Sequence, residues 1–436
     1  MKRTQTLDNV STKLQRIAEL ARKAPQMAIR TLAHHIDVEF LREAYHQTRK
    51  DGAAGVDDQT AAEYAVNLEA NLQSLLDRFK SGSYYAPPVR RVEIPKGDGE
   101  TRALGIPTFE DKVLQRSVVM VLNAVYEQDF LPCSYGFRPD RSAHQALQAL
   151  WHATMKVDGG WVIEIDIRHF FDSVDHGHLR AFLEQRVRDG VIRRTIDKWL
   201  NAGVQQDGAI RYLTGGTPQG GVISPLLANV YLHEVLDVWF ERAARPRLTG
   251  SAQLIRYADD AVIVFAREAD ARRMMKVLPK RFARYGLMLH PEKTKLIDFR
   301  RPAGSGDGPG SFDVLGFTHF WGRSRKGNSV VQRKTSRSRF GRALQRVAEW
   351  CRRNCHQPVR EQHKTLVAKL RGHYNYFGIT PNSRALGRFL HEVKRVWMKW
   401  LGRRSGRKRL IWERFTLLLG RYPLPWPRIV HSIYRR

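Results

Sequence analysis

The sequence predicts an α+β chain that ends in a basic, all-helical segment. Three observations carry this. Short stretches of strand character (residues 89–106, 161–167 and 254–265) stand between longer runs of helical apolar periodicity. Glycine- and proline-rich breaks separate the runs. The positive charge is concentrated at one end: of a net +31 over 436 residues, residues 321–436 carry 30 Lys+Arg against four acids, a net of +26.

Taken in order, residues 11–50 read as helical, with Leu14, Ile17, Ala18 and Ala21 on one stripe. Asp51-Gly52 and Gly55 mark a loop. A helical run over 60–80 is broken by Gly82, Pro87 and Pro88. Alternation from Val89, the turn signal Lys96-Gly97-Asp98-Gly99 and a second strand over 101–106 predict a hairpin ended by Pro107. Residues 112–126 form an apolar-periodic helix, 133–141 a loop, and a further helix runs to about 155. Residues 161–167 are an apolar strand interrupted by Glu164 and Asp166, and 176–200 are helical. After the Gly-dense segment 215–221, Ser224-Pro225 reads as an N-cap and first-turn proline opening a helix to about 239. Residues 254–257 and 261–265 flank Ala258-Asp259-Asp260 as a tight β-hairpin. A connection over 302–311 leads to a hairpin strand over 312–321.

The composition narrows the function classes. An apolar fraction of 42% excludes a disordered polycation, and +31 points to a polyanionic partner, most simply nucleic acid. The first 320 residues are nearly balanced at +5, so a globular body with an attached polyanion-binding module is expected. That module is patterned: Trp350, Leu366, Leu370, Tyr374, Leu390, Val393 and Trp397 recur at helical spacing between the bases. Three cysteines (Cys133, Cys351, Cys355) make no disulfide framework, and no apolar signal or membrane-spanning stretch is present. A cytoplasmic protein with no membrane partner is expected.

The chemistry-bearing signal is Tyr257-Ala258-Asp259-Asp260 between two apolar strands. Adjacent carboxylates at a hairpin tip repel by roughly 4 kcal/mol at ~4 Å and an effective dielectric near 20, an arrangement favourable beside divalent cations. Taken alone, Asp-Asp reads as a solvated turn. Asp166 changes that balance, because a buried strand ending in a carboxylate needs a partner. If strand and hairpin share one antiparallel sheet, Asp166, Asp259 and Asp260 converge. Oxygen ligands with room for water suit Mg²⁺, and two such ions can activate a hydroxyl and stabilise a leaving oxygen. Two weaker signals are set aside: Cys351, Cys355, His356 and His363 lack paired zinc spacing and read as a helix with two thiols, and His176 and His178 read as capping or packing residues.

In order along the chain, IPKGDGETRALGIPTFEDKVLQ, YGFRPDRSAHQAL, EIDIRHFFDSVDH, GGTPQGGVISPLLANVYL, RYADDAVIVF, GLMLHPEKTK and VLGF resemble the reverse transcriptase sequence blocks. With GAAGVD near residue 52 and LRGHYNYFGI near residue 370, most of the chain resembles a group II intron reverse transcriptase and maturase. The resemblance implies a right-hand polymerase: an N-terminal helical extension of the fingers (1–80), fingers and an antiparallel-sheet palm (81–320), and a basic helical thumb and maturase region (321–436). It implies RNA-directed DNA synthesis with two Mg²⁺ ions, or Mn²⁺ as substitute. Asp166, Asp259 and the Ile167 carbonyl would bind the ions, and Asp260 would complete the catalytic carboxylates. The dNTP would meet Lys96, Arg102, Ile167, Arg168, His169, Phe170, Phe171 and Gln219. Phe171 is favoured as the gate against a 2′-hydroxyl, with Phe170 as core. Lys96 and Arg102 also read as exposed hairpin charges, and Lys293 as proton donor competes with Lys295. Val314–Phe317 resembles the primer grip, or is an ordinary strand.

The implied partners are a structured intron RNA, an RNA template with DNA or RNA primer, a DNA target and dNTPs. Arg403, Arg404, Arg407, Lys408 and Arg409 are the candidate RNA contacts. Relatives that add a C-terminal zinc-bearing endonuclease have cysteine pairs that the residues up to Arg436 lack, so an endonuclease-lacking type is expected. A domesticated reverse transcriptase serving defence or repair, a decayed splicing factor and a DNA-dependent polymerase are the other readings.

Overall fold

The computed structural model describes residues 2–95, 101–206, 209–212, 215–216, 220–302, 310–324, 326–404 and 410–432. Helices α1 (Lys2–Lys23) and α2 (Val38–Gln47) replace the single expected run over 11–50. Pro25 ends helical propagation, and the buried Arg186 takes up the freed carbonyls, donating to those of Ala21, Ala24 and Met27. Helices α3 (Ala61–Val66) and α4 (Leu68–Ser81) follow. Thr60 opens α3 with a reciprocal capping box to Glu63.

Strands β1 (Val89–Pro95) and β2 (Thr101–Ile106) form the expected hairpin, with Ile94 opposite Arg102. Helix α5 (Phe109–Tyr126) starts immediately beyond, capped by Thr108, and is buried on almost every side. Then come α6 (Ala143–Lys156), β3 (Trp161–Ile165), β4 (Ile167–Arg168), α7 (Phe170–Ser173), α8 (His176–Glu184) and α9 (Gly190–Leu200). Two expectations are corrected here. The strand over 161–167 is divided at Asp166, where the backbone leaves β3 and takes up a new partner. The helix over 176–200 is divided by an extended turn centred on Val187, which bridges to Ile29.

Strands β5 (Val204–Gln206) and β6 (Ala209–Arg211) extend the β1–β2 sheet. Helix α10 (Ser224–Leu232) opens with Ile223 as its cap residue, so Ser224 is its first helical residue rather than the N-cap. The helix runs on through two wide π-helical turns, His233–Asp237 and Phe240–Ala244, past the expected end at 239. Strands β7 (Ala252–Tyr257) and β8 (Asp260–Phe265) form the expected hairpin. Helix α11 (Glu268–Ala283), β9 (Met288–Leu289) and β10 (Lys295–Asp298) complete this part. The central sheet has the order β10-β3-β8-β7, and β4 pairs with β9. Strands β3 and β8 are neighbours in this sheet, the arrangement in which the sequence reading expects Asp166 and Asp259 to approach one another.

Next are β11 (Phe312–Val314), β12 (Phe317–Arg323) and β13 (Ser329–Thr335), then α12 (Arg337–Arg353), α13 (Val359–Phe377), α14 (Ser383–Gly402) and α15 (Trp412–Arg421). Val314 faces Phe317 across a two-residue turn with Leu315 and Gly316 at positive φ, so 312–321 is two strands. The basic helices share one core: Leu366, Leu370, Tyr374, Leu390, Val393 and Trp397 are all buried. Within it Gln362 accepts from Trp397 Nε1 at 3.0 Å and donates to the Cys355 and Gln357 carbonyls, so its buried amide is fully used. Cys351 is buried and Cys355 is half-buried on this module. No described helix is long and apolar enough to cross a membrane.

The chain forms two compact units. One comprises 1–146 and 163–296, the other 147–162 and 297–436. Packing therefore divides the chain differently from the sequence blocks: residues 147–162 and the three-stranded β11–β13 sheet belong with the basic helices.

One buried carboxylate joins distant segments of the first unit. Asp189 accepts from the amides of Leu32 and Ala33 (2.7 and 2.9 Å) and from those of Val191 and Ile192 (2.9 and 3.0 Å), capping α9 and fixing the segment before α2. Replacing Asp189 with Ala removes a helix cap and strands two buried N–H groups. Denaturant unfolding is expected to show a loss of about 3 kcal/mol, whereas a loss below about 1 kcal/mol would mean that solvent reaches those amides.

Candidate active site

The site is assembled from β3, β4, the β7–β8 turn and the β1–β2 hairpin. Asp166 lies between β3 and β4, with its backbone held on both sides. Its carbonyl accepts from His290 N at 2.8 Å, and its N–H meets Thr294 Oγ1 at 3.3 Å. Antiparallel alternation then turns the next carbonyl, that of Ile167, toward the opposite edge of the strand.

Asp259 occupies the two-residue turn between Tyr257 and Asp260. Ala258 reaches φ 58°, the left-handed conformation that such tight hairpins require. This turn is held from below by Arg256, which is completely buried. Its Nε and Nη2 bind the two oxygens of Asp237 at 2.7 and 2.6 Å. Nη1 donates to Asn229 Oδ1 at 2.9 Å and to the Ala258 carbonyl at 3.0 Å, and Nη2 donates to Ser134 Oγ at 2.8 Å. All five guanidinium hydrogens thus have acceptors, which is what makes a buried cation tolerable. Asn229 in turn donates to the Gly136 carbonyl at 2.7 Å. A Cβ on Gly136 would stand 2.3 Å from the amide nitrogen of Ala258, so only glycine fits under the turn.

Burial is the main cause raising the Asp259 carboxyl above its usual range; the Asp166 carboxylate adds to the rise, while Arg102 and Arg256 draw it down. The two acids and Arg102 therefore share one electrostatic neighbourhood. Asp260 opens β8 on the exposed side. Among the described residues no three His, Cys, Asp or Glu side chains stand preassembled around one point. The paired acids and the outward Ile167 carbonyl are nonetheless hard oxygen donors. They fit Mg²⁺, which takes few protein ligands and completes its shell with water and substrate phosphate.

The other expected residues are placed as follows. Phe170 is buried and Phe171 half-buried, their rings edge to face at 5.3 Å. Arg168 and His169 are exposed, and His169 has φ 47°. His176 Nε2 donates to the Gly216 carbonyl at 2.6 Å, and a Cβ on Gly216 would meet the Phe171 carbonyl at 3.0 Å. The Gly-dense segment thus begins against the Phe171 turn. At its other end, a Cβ on Gly220 would stand 2.6 Å from the carbonyl of Gly105 on β2. Lys293 and Lys295 are exposed. Lys96, Gln219, Arg407, Lys408 and Arg409 lie outside the described residues. Arg403 and Arg404 are exposed; Arg403 lies 4.9 Å over the Trp400 ring and Arg404 donates to the His356 carbonyl at 2.9 Å.

Sequence reasoning missed Arg256, Asp237, Asn229 and Gly136. Their signal was present: Arg256 and Asn229 are polar residues inside apolar runs, where burial demands a partner.

The family model described as reverse transcriptase (RNA-dependent DNA polymerase) matches residues 94–319, just over half of the chain. The chain belongs to this family. This reverse transcriptase family member also matches the group II intron maturase-specific domain over residues 341–416. It is 36% identical to Escherichia coli protein YkfC over 260 residues, covering 57% of this chain and 66% of that protein. It is 38% identical to the group II intron-encoded protein LtrA of Lactococcus lactis over 205 residues, 45% of this chain and 33% of LtrA. A third relative, Arabidopsis thaliana nuclear intron maturase 2, mitochondrial, is 28% identical over 228 residues, 40% of this chain and 30% of that protein. The chain therefore spans under two thirds of these relatives' own lengths. Reverse transcriptase domains generally use divalent metals.

Breaking the buttress tests its weight. Arg256→Met leaves Asp237 buried without its cation and should cost about 3–5 kcal/mol in urea unfolding. A near-neutral result would show that Asp237 is neutralised without it.

Proposed function

We propose that the chain copies RNA into DNA, adding dNTPs to a primer 3′-hydroxyl and releasing pyrophosphate, and that it binds a structured group II intron RNA to assist its splicing and retrotransposition. The observation that carries the first half is that β3, which ends beside Asp166, neighbours β8, which follows Asp259, within residues that match the reverse transcriptase model. Asp166, Asp259 and the Ile167 carbonyl would hold two Mg²⁺ ions, with Asp260 beside them. When bound, Mg²⁺ supplies activation of the primer hydroxyl and charge stabilisation at the leaving oxygen.

The chain's own residues do the positioning. Arg102, whose charge is felt by Asp259, would orient a triphosphate. Lys96 would flank it across the hairpin, and Gln219 would line the nucleotide pocket. Glycine lets the backbone at 216 approach Phe171 and the backbone at 220 approach Gly105. Phe171, next to the buried Phe170, is the ring available to exclude a ribose 2′-hydroxyl. Lys293, or its neighbour Lys295, is the proposed proton donor to pyrophosphate.

Fingers and palm would lie in residues 81–320, with the helical extension before them and the thumb and maturase region at 321–436. The maturase half rests on the match over 341–416 and on +26 of charge in the last 116 residues. Exposed Arg403 and Arg404, with Arg407, Lys408 and Arg409, would contact RNA phosphates.

Primer extension on an annealed RNA template, with and without Mg²⁺, is the direct test. Asp259→Asn should lower dNTP incorporation by more than about 100-fold while RNA binding is retained; undiminished synthesis would remove the carboxylate assignment. Phe171→Ala should raise rNTP use modestly, since an apolar wall excludes an added hydroxyl only ~10²-fold. Unchanged dNTP/rNTP selectivity in that variant would assign the gate elsewhere.

A further inference from the structure

Another buried carboxylate lies outside the site just described and has no part in that mechanism. Asp111, in the first turn of α5, is 2% exposed. One of its oxygens accepts from the Tyr84 hydroxyl and from Trp199 Nε1, the latter at 2.6 Å. Its other oxygen accepts from Gln115 Nε2 at 3.0 Å. Gln115, 3% exposed, then presents Oε1 to the amide of Ile223 at 3.2 Å. The order of donors is forced. A carboxylate can only accept, so it draws the NH₂ end of the Gln115 amide toward itself and turns the oxygen to Ile223. Ile223 is the cap residue of α10 and ends the segment that starts at Gly220, whose backbone lies against Gly105 of β2. Burial lifts the Asp111 carboxyl to about 6, in spite of three donors that favour its charged form.

We propose that Asp111 and Gln115 are positioning residues for nucleotide binding: the Asp111 carboxylate sets the orientation of the Gln115 amide, and that amide anchors the Gly220–Ile223 backbone, which follows Gln219 in the sequence. This rests on the reading of the Gly-dense segment as nucleotide-facing. Neither side chain touches substrate. Their effect is exerted through one backbone hydrogen bond and through the close approach of Gly220 to the hairpin that bears Arg102.

A polarity swap tests this. In Asp111→Asn the oxygen facing Tyr84 and Trp199 is kept, but an NH₂ now faces Gln115. Gln115 must turn its amide, which sets donor against donor at Ile223. In the double variant D111N/Q115E, the new amide at position 111 donates to one oxygen of the new carboxylate at position 115, and the other oxygen accepts from Ile223. The chain of hydrogen bonds is thereby rebuilt with the charge moved along α5 to the next partner. On an RNA template, Asp111→Asn should raise the KM for dNTP by about tenfold with kcat changed by less than about threefold, and the double variant should return KM to within about threefold of wild type. Amide hydrogen exchange at residues 220–223, read without substrate, should accelerate in the single variant and recover in the double.

An unchanged KM in Asp111→Asn, or a double variant no better than the single, overturns the proposal. If Asp111→Asn does not fold, Gln115→Met removes the acceptor while leaving Asp111 its Tyr84 and Trp199 donors, and the same KM and exchange readouts decide. Wild-type protein that incorporates no dNTP would instead overturn the polymerase reading. The exchange measurement would still report on the anchor.

Discussion

The arrangement of the acids depends on one cation without access to water. Arg256 is three residues before Asp259, on the strand that leads into the turn, yet its task is to hold that turn rather than to meet substrate. With five donors matched to five acceptor atoms on four residues, it fixes the Ala258 carbonyl, and through it the backbone that presents Asp259. An ion pair at this depth contributes little net stability compared with an apolar substitute, because both charges lose their hydration. What it supplies is geometry: with the turn in this conformation every guanidinium hydrogen has an acceptor.

The same logic recurs wherever the chain buries a charge. Arg186 closes the end of α1, Asp189 gathers four amides, and Asp111 orders Gln115. Each is a charged residue with partners from segments far away in sequence. A buried polar network whose members are satisfied in this way rigidifies and specifies the packing around it. The exposed charge follows a different rule. It accumulates on helices α12–α15, whose apolar faces share a core while Arg and Lys remain in solvent, suited to a partner read through its phosphates.

Much of this was legible in the sequence, for physical reasons that can be named. The β7–β8 hairpin could be read because two apolar strands enclose a turn dipeptide, and the β1–β2 hairpin because Gly97 and Gly99 punctuate an alternating run. The helical module could be read from its apolar spacing: Leu366, Leu370, Tyr374 and Trp397 are all core. Periodicity does not show that a strand changes partner, so residues 161–167 read as one continuous strand through Asp166. Nor does it distinguish a helix cap from a first helical residue at Ser224, or reveal that Pro25 ends α1 with help from an arginine some 160 positions away. Arg256, Asn229 and Asp111 escape a pattern-based reading because each sits in a run whose dominant signal is apolar. Their polarity was itself the clue that a partner from elsewhere had to exist.

The brevity of the β7–β8 connection has a consequence for how this chain can change over evolutionary time. Between Tyr257 and Asp260 there is no slack to absorb a length change. A single extra residue there would replace the two-residue turn by a longer loop with a different backbone path, and so shift the Ala258 carbonyl that Arg256 holds and the Asp259 carboxylate next to it. Loop insertions that other surfaces accept are closed to this one, so diversification of the molecule is channelled to its remaining borders.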